Sequence, residues 1–351
     1  MFFIAAYFLA SCQSTHTQES ISSSLPDGQF HESALPESCG IDRYEASSGD
    51  DQHDDAGSRE TEFNEDSLPE ETGESDFSWE NSSDSPLPEF SEDVTPPEIN
   101  SNITDPVAVR LLYSIIDLSA KYYDVSVYYC DTKTGYYFYH ETNKSYPCAS
   151  TIKAIYCHYL IQAGTNLYQE ITLKEVSQSS ASGKLTESAV GTSFTVKSLI
   201  EFSIVYSDNM AYRLLYQTFG TKGFNEYIHS LGLDCPQLLR SEYTRVDAKS
   251  MAICMKEIYL YSTESNDYFL INLMKSTTYD EQISKGTDAD IAHKFGYEGE
   301  NYGYHDMAIV YAKEPYILSI FSRIDARKAD CNDAFIRIAT LIEHLHGLLH
   351  E

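Results

Sequence analysis

Basic side chains are scarce in this chain. Its 351 residues contain 24 lysines and arginines against 54 aspartates and glutamates, which gives a formal net charge of −30. This charge has the wrong sign for neutralising phosphates, so we exclude nucleic acid as a partner. Metal-binding patterns are missing as well, because the eight cysteines include no Cys-x-x-Cys pair. We therefore expect neither a metal site nor a cofactor.

The apolar run at the start of the chain is short. Residues 2–10 are too few to span a bilayer as a helix, and we interpret residues 1–11 as an export signal. Leu9-Ala10-Ser11-Cys12 resembles the lipobox of bacterial lipoproteins, which implies cleavage before Cys12 and a diacylglycerol on its thiol. The protein would then be held on the extracellular face of the bacterial cytoplasmic membrane. The alternative is ordinary secretion with an unmodified Cys12.

The segment that follows has almost no positive charge. Residues 13–105 carry 25 acidic side chains and two basic ones, Arg43 and Arg59. Such a segment buries too little apolar surface to offset its chain entropy, so we predict that residues 12–105 form a disordered acidic tether. Repulsion between like charges would extend it. An acidic ligand-binding tail is the alternative.

Residues 106–351 are numerous enough for one domain with a sizeable core. Apolar periodicity predicts helices at both ends of this domain and a mostly helical stretch between two strand pairs. The predicted ranges are helix 106–122, strands 125–129 and 136–139, helical 150–275, strands 307–312 and 316–322, and helix 330–349. We therefore predict an α+β fold, with an antiparallel sheet, terminal helices on one face and an all-helical lobe across a cleft.

The cysteines and histidines carry little pattern. Cys130 and Cys148 flank the first hairpin and could form a disulfide, whereas Cys157 and Cys254 sit among apolar residues and are expected to be buried thiols. Five histidines share no visible pattern, and we interpret them as structural or exposed; they are His158, His229, His344, His346 and His350.

The string Ser150-Thr151-Ile152-Lys153 contains the first candidate site. Pro147 disfavours helix before it and helical spacing follows it, so Ser150 should lie near a helix N-terminus, where backbone N–H groups stabilise negative charge. Positions i and i+3 share a helix face, which places the Lys153 amine beside the Ser150 hydroxyl. A desolvated lysine can activate a serine nucleophile. The alternative is a helix-capping serine with a surface lysine.

Two further strings follow at intervals of 57 and 87 positions, Ser207-Asp208-Asn209 and Lys294-Phe295-Gly296. The first fits a turn between helical stretches, in which Ser207 or Asp208 could also cap the next helix. The second precedes a Gly- and Tyr-rich turn and a strand. A lysine on an exposed strand is its ordinary explanation.

Together the three strings resemble the S-x-x-K, S-D-N and K-T-G motifs of class A β-lactamases and penicillin-binding proteins. The resemblance extends over most of residues 106–351. It implies Ser150 as nucleophile, Lys153 as acylation base and Ser207 as proton relay, with Asn209 holding the lysine and the substrate amide. Lys294 would attract a substrate carboxylate at a strand edge that Gly296 keeps accessible. The N–H groups of Ser150 and Tyr297 would form the oxyanion hole.

Two departures from the family pattern stand out. Phe295 replaces the threonine or serine whose hydroxyl helps to bind the substrate carboxylate, and no Glu-x-x-Leu-Asn string supplies the glutamate that activates the deacylating water. Glu242 is the one nearby carboxylate. We therefore expect acylation by β-lactams or peptidoglycan stem peptides, with slow deacylation, in a monomer. The alternatives are a D,D-peptidase or esterase on the same site, or a non-catalytic wall-binding descendant.

Overall fold

A six-stranded antiparallel sheet organises the described part of the chain. The computed structural model describes residues 99–122, 124–174, 183–185, 188–233, 244–299, 303–324 and 330–351. The strands are β1 (Asn100–Ser101), β2 (Val125–Asp131), β3 (Tyr137–His140), β4 (Tyr146–Pro147), β5 (Glu170–Thr172), β6 (Ser193–Thr195), β7 (Arg245–Val246), β8 (Asp290–Glu298), β9 (Gly303–Tyr311) and β10 (Tyr316–Arg323). The six strands follow the order β1-β3-β2-β10-β9-β8, so β8 lies at an edge. Two small two-stranded sheets pair β4 with β7 and β5 with β6.

Eight helices accompany these strands in the described residues. They are α1 (Pro106–Lys121), α2 (Ile152–Gln162), α3 (Val196–Val205), α4 (Asn209–Phe219), α5 (Lys222–Ser230), α6 (Ala248–Ser265), α7 (Phe269–Lys275) and α8 (Cys331–Leu348). The carboxylates of Asp105 and Asp330 accept backbone N–H groups at the starts of α1 and α8, which fixes where the two terminal helices begin.

The two terminal helices cover one face of the sheet. Alternate strand residues point to opposite faces, and β2 directs Val125, Val127 and Tyr129 into a core formed with α1 and α8. Residues of the opposite face, among them Ile309 and Phe321, pack with the helical lobe that contains α2, α3 and α6. The predicted α+β arrangement is confirmed, including helices on one face and a helical lobe on the other.

The folded domain begins earlier than the predicted boundary at residue 106. Strand β1 pairs Asn100 with Tyr139 and Ser101 with Phe138, and Ile103 is buried in the core. These residues had been assigned to the tether, whose composition is acidic on average but turns apolar near its end. Cys12 and Glu242 lie outside the described residues, as do the export signal and nearly all of the tether.

The described cysteines are all buried thiols, namely Cys130, Cys148, Cys157, Cys254 and Cys331. The disulfide suggested for Cys130 and Cys148 is therefore wrong, whereas the buried thiols at Cys157 and Cys254 are confirmed. Within the described residues, no helix combines the length and the apolar character that a membrane crossing requires.

Candidate functional site

Ser150 lies where strand β4 gives way to helix α2. After Pro147 the chain makes one turn of 3-10 helix, Ala149–Thr151, which runs directly into α2 at Ile152. Ala149 has a φ of 47°, a left-handed conformation that is costly for a residue with a Cβ atom. Strain of this kind collects at functional sites. The structure thus places half-buried Ser150 at a helix start, as its sequence context predicts.

Lys153 lies one turn further along and is only 3% exposed. Its Nζ donates to the Ser207 carbonyl oxygen at 2.5 Å and to Asn209 Oδ1 at 2.6 Å, and lies 3.3 Å from Ser207 Oγ. The surface-lysine alternative is therefore wrong. Burial, together with the neighbouring charge of Lys294, holds the pKa of Lys153 well below its ordinary value. A lysine with a depressed pKa can supply the neutral amine that proton abstraction requires.

Ser207 is the junction between the two lysines. It has a φ of 53°, and it occupies the turn between α3 and α4. Its Oγ receives a hydrogen bond from Lys294 Nζ at 3.0 Å while facing Lys153 Nζ at 3.3 Å. The hydroxyl thus lies on a continuous hydrogen-bonded path between two amines. Such a path is what a proton relay needs.

The fully buried Asp208 fixes this turn in place. Its carboxylate caps α4 through the Ala211 N–H at 2.9 Å, and its second oxygen accepts the Leu185 N–H at 2.7 Å. Gly183 approaches so closely that a Cβ there would lie 2.3 Å from the carboxylate carbon. The aspartate therefore holds two segments together, and the expectation that Asp208 could cap the next helix is confirmed.

Lys294 enters the site from strand β8 and is fully buried. Besides Ser207, its Nζ donates to the Phe295 carbonyl oxygen at 2.8 Å. Burial lowers the pKa of Lys294 to about 7, although Asp306 acts in the opposite direction. The ordinary explanation of an exposed strand lysine is wrong. This lysine instead completes a chain of three side chains that begins at Lys153.

Gly296 brings the edge strand against the Ser150 turn. A Cβ at this position would lie 3.0 Å from the backbone nitrogens of both Ser150 and Thr151. Only glycine permits that approach without a shift of one backbone. Tyr297 follows at the edge of the sheet and is 53% exposed. Its N–H and that of Ser150 remain the predicted oxyanion hole, and the free side of β8 remains the predicted place for a substrate strand.

Phe295 belongs to a group of aromatic side chains at strand β8. Its ring stacks with Tyr279 at 6.1 Å and lies 6.2 Å from Tyr304, whose ring is 4.8 Å from that of Tyr297. Tyr279 and Tyr297 are exposed. Where the family pattern has a hydroxyl, this chain therefore presents a group of four aromatic rings.

An ionic network beside Lys294, with His293 and Asp306 buried and Asp280 exposed, was not found from the sequence. His293 Nδ1 lies 3.0 Å from Asp306 Oδ1, and its Nε2 lies 3.5 Å from Asp280. Burial alone would lower the pKa of His293, but the two carboxylates outweigh it and raise the value to about 9. The protonated ring ties β8 to β9 and to the segment before β8. Only the adjacency of His293 to Lys294 hinted at this network in the sequence.

A model of the family described as "Beta-lactamase enzyme family" matches residues 111–345. Two curated relatives are "Beta-lactamase 3" of Bacillus cereus and a "Beta-lactamase" of Bacillus licheniformis, each 25% identical over 240 residues. The matched part is 62% of this chain and 75% and 77% of the respective relatives.

Solved structures share the fold at lower identity. A mutant of PBP-A in an acyl-enzyme complex with penicillin G superposes with a TM-score of 0.61 at 16% identity, covering 68% of this chain and 97% of that chain. The last common ancestor of Gram-negative bacteria class A beta-lactamases gives 0.56 at 22% identity, covering 67% and 98%. These likenesses establish the fold.

Proposed function

Because the chain belongs to the beta-lactamase enzyme family, we propose that this serine hydrolase forms an acyl-enzyme on Ser150. The observation that carries the proposal is the buried Lys153–Ser207–Lys294 network. Burying two lysines beside one hydroxyl costs folding free energy, and buried groups with strongly perturbed pKa values cluster at functional sites. Ser150 lies three residues before Lys153, on the 3-10 turn that runs directly into the helix carrying Lys153.

The acylation step proceeds as follows. Neutral Lys153 accepts the Ser150 proton as the Ser150 Oγ attacks the substrate amide carbonyl, and a C–O bond forms. The N–H groups of Ser150 and Tyr297 stabilise the resulting oxyanion. When the carbonyl reforms, the C–N bond breaks and Ser207 donates its proton to the leaving nitrogen. Protonated Lys153 then returns a proton to Ser207. Protonated Lys294 supports Ser207 and attracts the substrate carboxylate.

Deacylation is proposed to be slow. The sequence has no Glu-x-x-Leu-Asn string to supply a general base for the hydrolytic water, and such a base typically contributes about 10²–10⁴-fold. Phe295 also removes a hydroxyl from the carboxylate site. β-Lactams and peptidoglycan-like peptides are the proposed substrates, because the edge strand β8 offers backbone groups to an extended peptide-like ligand.

Export and lipid attachment at Cys12 complete the proposal. They rest on the lipobox-like Leu9-Ala10-Ser11-Cys12, and they would place the enzyme where peptidoglycan is made. Replacement of Cys12 by serine should move the protein from the detergent phase to the aqueous phase in a phase partition. If the parent already partitions into water, the anchor is refuted and the secretion alternative applies.

Incubation with a fluorescent penicillin tests the acylation. The parent should carry one label per molecule on the peptide that contains Ser150, and Ser150→Ala should carry none. Ser230→Ala, an exposed serine at the end of α5, serves as the matched control and should label like the parent. Persistent labelling of Ser150→Ala would refute the nucleophile, and no labelling of folded parent protein would favour the wall-binding alternative.

Nitrocefin separates acylation from turnover. A stoichiometric burst followed by a much slower steady state is expected. Fast, burst-free turnover would contradict slow deacylation while leaving the nucleophile intact. Release of D-alanine from a stem peptide would assign the site to D,D-peptidase chemistry.

A further inference from the structure

A second cluster of chemically active side chains lies at the other end of the sheet. Asp131 is the last residue of β2, His346 lies in the last turn of α8, and His350 lies just after that helix. One donor atom from each of these three residues falls within 4.8 Å of the other two. No pattern in the sequence connects the two histidines beyond their spacing of four residues. Although His350 lies past the end of α8, its ring centroid lies 4.5 Å from that of His346.

The carboxylate of Asp131 is oriented before any ligand arrives. Its Oδ1 accepts the backbone N–H groups of Lys133 at 2.7 Å and Thr134 at 2.8 Å. The second oxygen, Oδ2, is therefore directed at the histidines: it is hydrogen-bonded to His350 Nε2 and lies 3.8 Å from His346 Nδ1. A carboxylate fixed by its own hydrogen bonds needs little rearrangement to bind a cation.

His346 is held in the tautomer that a metal ligand requires. Its Nε2 lies 2.7 Å from the Glu314 carbonyl oxygen. A carbonyl only accepts hydrogen bonds, so Nε2 carries the proton and Nδ1 carries the lone pair. That lone pair points into the cluster, where it accepts the Tyr129 hydroxyl at 2.8 Å. A ring nitrogen donating to a backbone carbonyl while the other faces the cluster is the usual support of a metal-bound histidine.

Of the three groups, His350 is the one that solvent reaches most. Asp131 is fully buried and His346 nearly so, whereas 14% of the His350 side chain is exposed. An ion could therefore enter past His350. Two imidazoles and one carboxylate are a donor set that suits zinc and its neighbours rather than calcium or magnesium, which favour oxygen ligands.

We propose that Asp131, His346 and His350 bind one divalent transition-metal ion of the zinc type. The ion replaces the hydrogen bond between His350 and Asp131, and the proton on His350 Nε2 is lost to the other ring nitrogen or to solvent. It also displaces the Tyr129 hydroxyl from His346 Nδ1. Water completes the coordination.

The site is structural and separate from Ser150. Asp131 lies in the row of paired strand residues that ends at Ile291 on β8, whereas the Ser150 turn packs at Gly296. Five residues of strand separate those rows by about 17 Å. An ion here would fasten the segment after α8, through His350, to the hairpin that starts at Asp131.

Zinc binding to the full chain tests the proposal, with cobalt as the spectroscopic probe. The parent should bind an ion whose cobalt complex absorbs in the visible range, and zinc should raise its Tm. His350→Gln should weaken this binding by at least about tenfold and abolish the rise in Tm. Because His350 lies beyond the end of α8 and its side chain is partly exposed, this variant is expected to fold. Histidines elsewhere in the chain are the same in both proteins and cancel in the comparison.

Two further variants make the test specific. His344→Gln removes an exposed histidine from the same helix and should bind zinc like the parent. Tyr129→Phe removes the hydroxyl that competes for His346 Nδ1 and should bind at least as tightly as the parent. Equal zinc affinity in the parent and His350→Gln would overturn the proposal, as would equal losses in His344→Gln and His350→Gln.

Discussion

At the scale of single residues, Lys294 is the group through which pH should act on the site. Its pKa of about 7 means that its positive charge is present below neutrality and is lost as the pH rises. Lys153, which must be neutral to act as a base, works in the opposite direction. The acylation rate constant should therefore rise and then fall with pH, with the alkaline limb near 7. Arginine keeps its charge at all these pH values, so Lys294→Arg should move that limb upward.

Stopped-flow acylation by nitrocefin between pH 5 and 10 (roughly the span of the lysine and histidine titrations) measures this effect. The prediction concerns the pH of the alkaline limb in Lys294→Arg compared with the parent, and it does not depend on the absolute rate of the variant. If the alkaline limb stays near pH 7 in Lys294→Arg, a group other than Lys294 causes the fall in rate.

Phe295 should set how well the site captures a substrate carboxylate. Replacing it with threonine restores a hydroxyl, and a hydrogen bond to a charged group contributes about 1.5–3 kcal/mol. Phe295→Thr should therefore increase the second-order rate constant for acylation by penicillins roughly tenfold to hundredfold. Phe295→Leu is the matched control, since it removes the same ring from its stack with Tyr279 without adding a hydroxyl. An equal gain in the leucine variant would show that ring removal alone matters.

The sequence predicted which residues meet at the site better than it predicted their surroundings. Ser150 and Lys153 are three positions apart, so helix geometry alone brings them together. The burial of Lys294 depends on residues 87 positions away, and the pairing of His350 with Asp131 spans 219 positions. Contacts between residues so far apart in the chain leave no local sequence pattern. The local signal for the cluster with Asp131 is the four-residue spacing of His346 and His350.

At the scale of elements, the packing of strand β8 against the Ser150 turn decides the geometry of the site. Gly296→Ala would place a methyl group 3.0 Å from two backbone nitrogens, which cannot swing aside as a side chain can. Strand and turn must separate by a few tenths of an ångström. Because a small misplacement of reacting groups raises the activation barrier, acylation should slow roughly tenfold to hundredfold.

Labelling rates with fluorescent penicillin measure the effect of Gly296→Ala on acylation, and a urea unfolding curve measures its effect on stability. Gly347→Ala, in α8 with no atom within 4 Å of the added Cβ, is the matched control. It should gain up to about 1 kcal/mol in the free energy of unfolding and label like the parent. Parent-like labelling of Gly296→Ala would mean that the close approach is unimportant for acylation.

Most long elements were predictable from their apolar period, whereas the short strands and the nine-residue strand β8 were not. The helix at 106–122, both strand pairs and the final helix were predicted within a few residues, because each carries a sustained apolar period. Strands β1, β4, β5 and β7 contain two or three residues, too few to show any period. They exist because a partner strand is already in place, as β3 is for β1.

At the scale of the whole molecule, the division between tether and domain is the property that remains to be tested. Residues 13–105 carry 25 acidic and two basic side chains, from which a tether was predicted, but the sheet already begins with β1 at Asn100. A chain that begins at Pro86 should therefore keep the Tm and the acylation rate of the full-length protein. If the tether prediction is right, loss of the acidic segment removes charge repulsion and leaves the core intact.

A second chain, beginning at Asn102, is the informative comparison. It lacks β1, and with it the pairing to β3 and the hydrogen bond from Ser101 Oγ to the Tyr137 carbonyl oxygen at 2.7 Å. Each such bond contributes about 0.5–1.5 kcal/mol, and in a domain of this size 1 kcal/mol shifts the Tm by about 2–4 °C. This chain should therefore melt several degrees lower, by differential scanning calorimetry, than the one that begins at Pro86. If the longer chain also melts well below the full-length protein, residues before Pro86 pack on the domain, and the tether prediction is wrong.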